Sequence, residues 1–480
     1  MVFSHIEESF MILSDSSGVA VDQLKFVIGL MSIIPLGFVF SFIKSAWLRH
    51  FYGIFFGLFL EYVVYGIGII SMLLQTVIVY LLAKYVKNCG KIIMIETMIF
   101  VSAHHIYRQI YDYGGWTLDV STILMMAVCK FTSFGYCVED GRKKQSELSQ
   151  DQNLRKIERL PHFLEFFSYI HFFGSSICGP AFDFYDFRLF INRIGVMGKI
   201  PFIGLVKATT FDFVCGAFFM AGTVLVSNKF DLGYIATNEF GEQHSWFYKF
   251  FYYNLVVTLL RFKYYGGWYM ATAGLTATGL TYNGQDEKTQ SEKFDRIVQC
   301  HPLNVELTHE IKTKVANWNM SVQAWLQRYV YFRLYSPAQI KADKKKANTA
   351  QNFTLMVSAF WHGFYPGYYT SFFQWGMMLT MNKMFYKWGV NYPQFWKKIE
   401  NAVTYPVYYV VRFVFLNGLF NFFGCGFVLL SLEANWTFYQ NLNFIPNIIV
   451  FAITSYLLAT NIGQKPPKNK EETKSDKKAQ

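Results

Sequence analysis

The chain has 480 residues, of which 53% are hydrophobic, 20% aromatic and only 16% charged, with a mean hydropathy of +0.21. A soluble domain usually carries about 25% charged residues, so the composition favours one polytopic membrane domain over a string of soluble ones. The formal charge of +12 is not a nucleic-acid footprint. The basic residues sit in the polar breaks between apolar runs, at 141–159, 341–347 and 465–480, and not on one soluble face.

Residues 1–23 form an N-terminal segment whose Glu7 and Glu8, in place of a basic stretch, predict that no signal peptide is cleaved. The first apolar run, "LKFVIGLMSIIPLGFVFSFI" (24–43), is long enough to be a retained membrane helix, since spanning takes about 20 apolar residues. Further apolar segments fall at about 51–86, 92–107, 118–138, 162–182, 201–227, 246–262, 266–280, 351–386, 403–432 and 444–462. Two exceed a single span and are candidates for splitting, so about nine to eleven helices are expected within a membrane domain of 24–462. The alternation of a membrane β-barrel is missing, which makes the expected fold all-α. Glu61, the pair His104–His105, Glu165, His171 and Asp183 lie where lipid does not tolerate polarity, so an internal chamber is expected.

The polar stretch 283–320 carries too many charges to cross a bilayer. Within it Val305, Leu307, Ile311 and Val315 are spaced loosely like one face of an interfacial helix. A basic loop follows at 336–350, and 463–480 is a lysine- and proline-rich tail expected to be disordered. Lys/Arg-rich loops beside membrane segments mark the cytosolic side. The seven cysteines show no CxxC spacing, so neither a disulfide framework nor a zinc site is implied. No Asp-His-His-Cys sequence occurs.

Three stretches carry candidate chemistry. In "SAFWHGFYPGYY" (358–369), His362 is either a histidine satisfied by a hydrogen bond or a functional group, the default for an ionisable residue in a membrane. Gly363 and Gly367 permit close approach, and Pro366 breaks the helix. In "NWNMSVQAWLQRYVYFRLY" (317–335), Trp318, Trp325, Tyr329 and Phe332 recur at helical spacing, as packing residues do. Asn317 and Asn319 suit a helix start, and Arg328 and Arg333 suit cytosolic anchors. In "RFKYYGGW" (261–268), Arg261 and Lys263 are either anchors at a helix end or part of a phosphate pocket beside a helix break.

On these residues the chain resembles the membrane-bound O-acyltransferase (MBOAT) family, in its lysophospholipid acyltransferase branch. Trp361 to Tyr368 fits the branch pattern WHGxxPGY at every defined position. The family's asparagine falls on Asn319, six residues before Trp325, and not on Asn317. "LMMAVCKFTSFGYCVEDG" (124–141), "HFLEFFSYIHFFGSSICGPAFDFYDF" (162–187) and "RFKYYGGW" are also similar, so the likeness runs from about 50 to 462. One departure lies near the C-terminus, where the branch often carries Y-x3-Y-F-x2-H. Here "YQNLNFIPN" has Asn443 for the second tyrosine and Asn447 for the histidine, which bears on head-group preference. The FYxDWWN motif of the sterol and diacylglycerol branch does not occur.

The resemblance implies an MBOAT-like bundle of about nine to eleven transmembrane helices around a catalytic chamber. It implies acyl transfer from acyl-CoA, a co-substrate, to the free hydroxyl of a lysophospholipid, with His362 as general base and Asn319 assisting. Trp318, Trp361 and Tyr365 would line the chamber, and Arg261, Lys263, Arg328 and Arg333 would contact CoA phosphates. No metal and no resident cofactor is called for, and the partners are substrates and membrane lipids, not nucleic acid. The rival readings are an MBOAT enzyme acting on a protein or another lipid alcohol, and a polytopic transporter. The latter predicts paired inverted repeats, which the sequence does not display. The terminal "KKAQ" resembles a dilysine retrieval signal, implying the endoplasmic reticulum and a cytosolic C-terminus. Head group, acyl chain and oligomeric state are left open.

Overall fold

The computed structural model describes residues 2–115, 117–227, 229–394, 397 and 404–460. Helices of seven residues or more are numbered here in chain order. They are α1 (Val2–Ser17), α2 (Val21–Phe42), α3 (Ala46–Tyr65), α4 (Ile69–Tyr85), α5 (Cys89–Tyr111), α6 (Val120–Gly141), α7 (Phe163–Ile170) and α8 (Phe184–Ile191). There follow α9 (Phe202–Ser227), α10 (Trp246–Thr278), α11 (Met320–Leu326), α12 (Lys344–His362), α13 (Pro366–Asn391), α14 (Tyr405–Leu429), α15 (Leu432–Asn441) and α16 (Ile445–Thr460). Among the described residues no strand forms; the pairing of Gln285 with Glu292 is an isolated bridge. The all-α expectation therefore holds.

Among the described residues six stretches are long and apolar enough to cross a membrane, namely Val21–Phe42, Ala46–Tyr85, Cys89–Tyr111, Val120–Gly141, Phe202–Val226 and Tyr405–Leu429. The pair α15–α16, bent by 88°, makes a seventh if counted as one span. The 40-residue stretch is two helices: Gly66 takes φ 56 and ends α3. One imidazole then joins both, since His171 meets Glu61 of α3 at 2.8 Å and Thr76 of α4 at 3.1 Å, so α4 folds back along α3.

The chain forms two compact units. The first comprises Met1–Phe230, Thr258–Pro302 and Ala316–Tyr365, the second Asp231–Val257, Leu303–Val315 and Pro366–Gln480. Lipid removes the usual apolar driving force between helices, so close packing over small residues has to hold them together. In the first unit α5 and α6 meet this way: a side chain on Gly90 would run into the Tyr136 ring. The core beside them is aromatic, with Phe40, Phe172, Phe173 and Phe190 all fully buried and in mutual ring contact.

Two expectations are corrected here. The segment 162–182 is not a membrane helix. Only α7 is helical for two turns, and the chain then runs irregularly through Gly174, Gly179 and Pro180. Irregular backbone at this depth is tolerated only when protein answers its polar groups. Lys130 does so, donating to the carbonyls of Tyr169 (3.0 Å) and Ile170 (3.3 Å) and to Ser175 Oγ (2.8 Å), while Tyr65 donates to the Ile177 carbonyl. Conversely, 246–262 and 266–280 are one helix, α10. Gly266 does not break it, because its missing side chain makes room for Met220, whose Cγ would lie 2.7 Å from an added Cβ.

In the second unit α13 packs on α14 and α16 around Tyr253, Met378, Met381, Phe422 and Phe438. The 88° corner between α15 and α16 is made by Asn443 (φ 51) and Phe444 (φ 55). Asparagine is one of the few residues that enters this left-handed region readily, which gives a backbone reason for Asn443 where the branch has tyrosine. Asn447 sits in α16 with a buried Oδ1 that has no hydrogen-bond partner. The interfacial helix expected between 305 and 315 is two short ones, Pro302–Glu306 and Ile311–Ala316. Val305 and Ile311 are buried in the second unit, whereas Leu307 is exposed. The tail 463–480 lies outside the described residues.

Candidate active site

Trp361 and His362 are the last residues of α12. The helix stops there because Gly363 takes φ 115, a conformation open to glycine at no steric cost, and because Pro366 starts α13 at its first position, where a missing N–H does no harm. Gly363 also lets a neighbour in: a Cβ there would sit 3.2 Å from the ring of His105. His105 Nε2 is 3.1 Å from the Trp361 carbonyl, one of the orphan acceptors at a helix C-terminus. The helix end is thereby fixed from α5.

Trp361 is fixed from α6. Its indole N–H donates to the Met125 carbonyl at 2.8 Å, and its ring meets Trp325 at 6.0 Å. Trp325 in turn donates to Thr132 Oγ1 at 2.8 Å. With Trp361 only 3% exposed, the next side chain, His362, keeps accessible surface. Its ring stands edge-on to Trp361, 4.8 Å between centroids. Tyr365 anchors the far side of the break, its hydroxyl accepting from the Gly114 N–H at 2.8 Å.

Asn319 precedes α11 in a left-handed conformation, φ 43 and ψ 56, and its side chain makes no capping bond. The expectation of an ordinary helix start is thus half right: the position is a cap, the side chain is not spent on it. Asn319 Oδ1 is buried without a hydrogen-bond partner, and so are Gln299 Oε1 and Ser321 Oγ. The segment is held instead by backbone, Met320 N–H to the Gln299 carbonyl at 2.7 Å and His301 N–H to that of Asn317 at 3.1 Å. Trp318 enters a cage formed by Tyr264, Tyr265 and Trp268 of α10, with Trp268 4.7 Å away. Two stretches that the sequence keeps 50 residues apart therefore share one site.

Asn319 and His362 are connected through packed tryptophans. Six residues of α11, roughly 9 Å at helical rise, lead from Asn319 to Trp325, which touches Trp361 beside His362. Asn319, Trp318 and His362 all keep accessible surface, while Trp325, Trp361 and Gly363 behind them are buried.

The four basic candidates have different local partners. Arg333 forms a two-pronged pair with Asp140 at 2.7 and 2.6 Å and stacks on the Tyr136 ring at 4.5 Å. Arg328 reaches Asp183 at 3.1 Å, which also accepts from Arg155 (2.8 Å) and Tyr329 (2.9 Å). A π-helical turn at Gln327–Tyr331 brings these groups to the end of α6. Arg261 is buried and donates to Thr258 Oγ1 at 2.9 Å, and Lys263 is exposed.

The polar groups expected to face a chamber are largely answered by protein: His171 by Glu61 and Thr76, His104 by Ser71 at 3.0 Å, Asp183 by two arginines and a tyrosine. His105, Gln299 and Ser321 belong to the site but had no motif to mark them. Among the described residues no group of three His, Cys, Asp or Glu side chains is placed to hold a metal.

A sequence model of the membrane-bound O-acyltransferase family matches residues 106–425. A lysophospholipid acyltransferase of Schizosaccharomyces pombe is 28% identical over 460 residues, 93% of this chain and 88% of the relative. Lysophospholipid acyltransferase 2 of Arabidopsis thaliana is 28% identical over 476 residues, 96% and 98% of the two chains. Membrane-bound glycerophospholipid O-acyltransferase 2 of Rattus norvegicus is 27% identical over 464 residues, 89% and 83%.

Proposed function

The chain belongs to the membrane-bound O-acyltransferase family, and from that premise we propose that it esterifies the free hydroxyl of a lysophospholipid with the acyl group of acyl-CoA. It is an integral membrane O-acyltransferase, and three relatives that match over most of their length carry names for this reaction class. One observation supports the assignment to residues: His362, which keeps accessible surface, and Asn319, whose Oδ1 has no hydrogen-bond partner, are linked through the packed Trp325 and Trp361.

A lipid alcohol is a poor nucleophile near neutral pH. An imidazole, with an ordinary pKa of about 6.5, takes its proton as the oxygen attacks the thioester carbonyl. General-base help of this kind is worth about 10²–10⁴-fold. Asn319 accepts from the hydroxyl or donates to the oxyanion; its amide has both capacities. Collapse of the tetrahedral species breaks the carbon–sulfur bond. His362 returns the proton to the departing thiolate, leaving phospholipid and CoA. The proton count closes without a covalent acyl-enzyme.

Trp318, Trp361 and Tyr365 shape the wall. Of the cations, Arg328 keeps both a carboxylate partner and accessible surface, so it remains a candidate for a CoA phosphate. Arg333 serves the α6–α11 frame through Asp140, and Arg261 and Lys263 are weaker candidates for the same contacts. The terminal "KKAQ" supports residence in the endoplasmic reticulum with the tail in the cytosol. Purified His362→Ala is expected to keep its fold and lose acyl transfer to lysophosphatidylcholine, -ethanolamine, -serine and -inositol alike. Turnover near wild type would reject the assignment.

A further inference from the structure

Arg49, in the first turn of α3, is 2% exposed. Its guanidinium turns back to the corner between α2 and α3, where Nη1 donates to the Ile43 carbonyl at 3.3 Å. The rings of Phe40 and Phe190, in contact with each other, both lie 4.4 Å from its central carbon. Nε and Nη2 are buried with no hydrogen-bond partner, as is Nδ1 of the adjacent His50. Arg193, held at φ 56 just after α8, is its electrostatic neighbour and spends one nitrogen on the Gly198 carbonyl at 3.1 Å. Among the described residues neither guanidinium pairs with a carboxylate. A buried guanidinium beside a second, partly exposed one, with two of its own donors unused, calls for an anion.

The corner has more to offer one. The N-cap of α3, Ser45, makes no side-chain cap bond, so the N–H groups opening a 20-residue helix remain unspent there, an arrangement that attracts phosphate. Nε and Nη2 together form the side-on fork of arginine, two parallel donors that match two oxygens of one phosphate. The location fits as well. Arg142, in the basic stretch that follows α6, donates to the Val86 (2.6 Å) and Lys87 (3.0 Å) carbonyls of the α4–α5 corner. Tyr52 reaches back from α3 to the Leu36 carbonyl of α2, His171 joins α3 to α4, and Gln75 of α4 meets Glu96 of α5. Three folds back in a row bring the α2–α3 corner to the end of the α4–α5 corner, an end of the kind that lipid head groups and soluble anions reach.

We propose that the α2–α3 corner binds a phosphate group, carried by a phospholipid head or by a soluble phosphate ester, with Arg49, Arg193 and the first turn of α3 as donors. Entry requires the exposed Lys44–Ser45 turn to shift aside. The site is separate from His362 and stands whatever the acyl acceptor is.

The test uses the full chain in phosphatidylcholine nanodiscs, with three probes added separately: phosphatidic acid in the disc, inorganic phosphate and CoA. Thermal unfolding and native mass spectrometry report binding. Wild type is expected to rise in unfolding midpoint and retain one probe molecule, with Arg193→Gln and Arg49→Met about tenfold weaker. A response to phosphatidic acid assigns the phosphate to a lipid. A response to CoA or inorganic phosphate, lost in the same variants, assigns it to the aqueous side; either supports the site. Silence of wild type toward all three, or equal responses in wild type and Arg193→Gln, overturns it. Arg193 is partly exposed, so that variant keeps the test decisive if Arg49→Met fails to fold.

Discussion

Asn319→Gly separates stability from activity in a way that only the proposed role explains. The residue holds φ 43, a conformation that costs a side chain with a Cβ about 1–2 kcal/mol, less for asparagine, and glycine nothing. Its buried Oδ1 lacks a partner, and a stranded acceptor costs about 1–3 kcal/mol. Glycine removes both penalties and adds backbone entropy of about 0.5–1 kcal/mol to the unfolded chain, so the unfolding midpoint should hold or rise. Acyl transfer should fall, because losing one oxyanion donor costs about 2.7–4 kcal/mol, or about 10²–10³ in kcat. Asn319→Ala should lose as much activity while being less stable than the glycine variant by about 1–2 kcal/mol. The assay is release of CoA from labelled acyl-CoA with a lysophospholipid panel, paired with thermal unfolding in nanodiscs. A glycine variant that turns over within about threefold of wild type, a loss far below the expected donor term, or one that unfolds well below it, would refute the reasoning.

His105→Phe removes the contact to the Trp361 carbonyl and should lower kcat about tenfold with KM little changed, as loss of positioning does; His105→Gln should restore part of it, and equal KM and kcat effects in both would argue for packing alone. Arg333→Met leaves Asp140, 1% exposed, with only the longer 3.6 Å pair to Lys143 and should cost up to about 3–5 kcal/mol. The double variant Arg333→Met, Asp140→Leu should recover most of that in an unfolding experiment, and no recovery would count against the pair as the cause. Asn443→Tyr, which restores the branch's residue, forces tyrosine to φ 51 and should lower the unfolding midpoint by the equivalent of about 1 kcal/mol; an unchanged midpoint would mean the corner relaxes.

Much of the local structure is written in neighbouring residues. The break after His362 is legible because Gly363 and Pro366 act on their own backbone, and apolar length predicts α2, α5, α6 and α14 since lipid demands it. Other features needed the packed fold. Nothing within 162–182 says that Lys130 and Tyr65 will answer its carbonyls, and nothing near Gly266 says that Met220 will fill the groove. The fates of Arg328 and Arg333 were equally hidden, because their carboxylates lie 145 and 193 residues away.

The sequence by itself determined the membrane class and the helix end at His362, since each is a matter of composition or of residue type in a short motif. Tertiary structure alone decided which polar atoms are satisfied and which are left over. Directional bonds in a dry interior depend on ångström-scale distances between distant segments. Those distances leave Asn319 Oδ1 without a partner and set His105 against the Trp361 carbonyl.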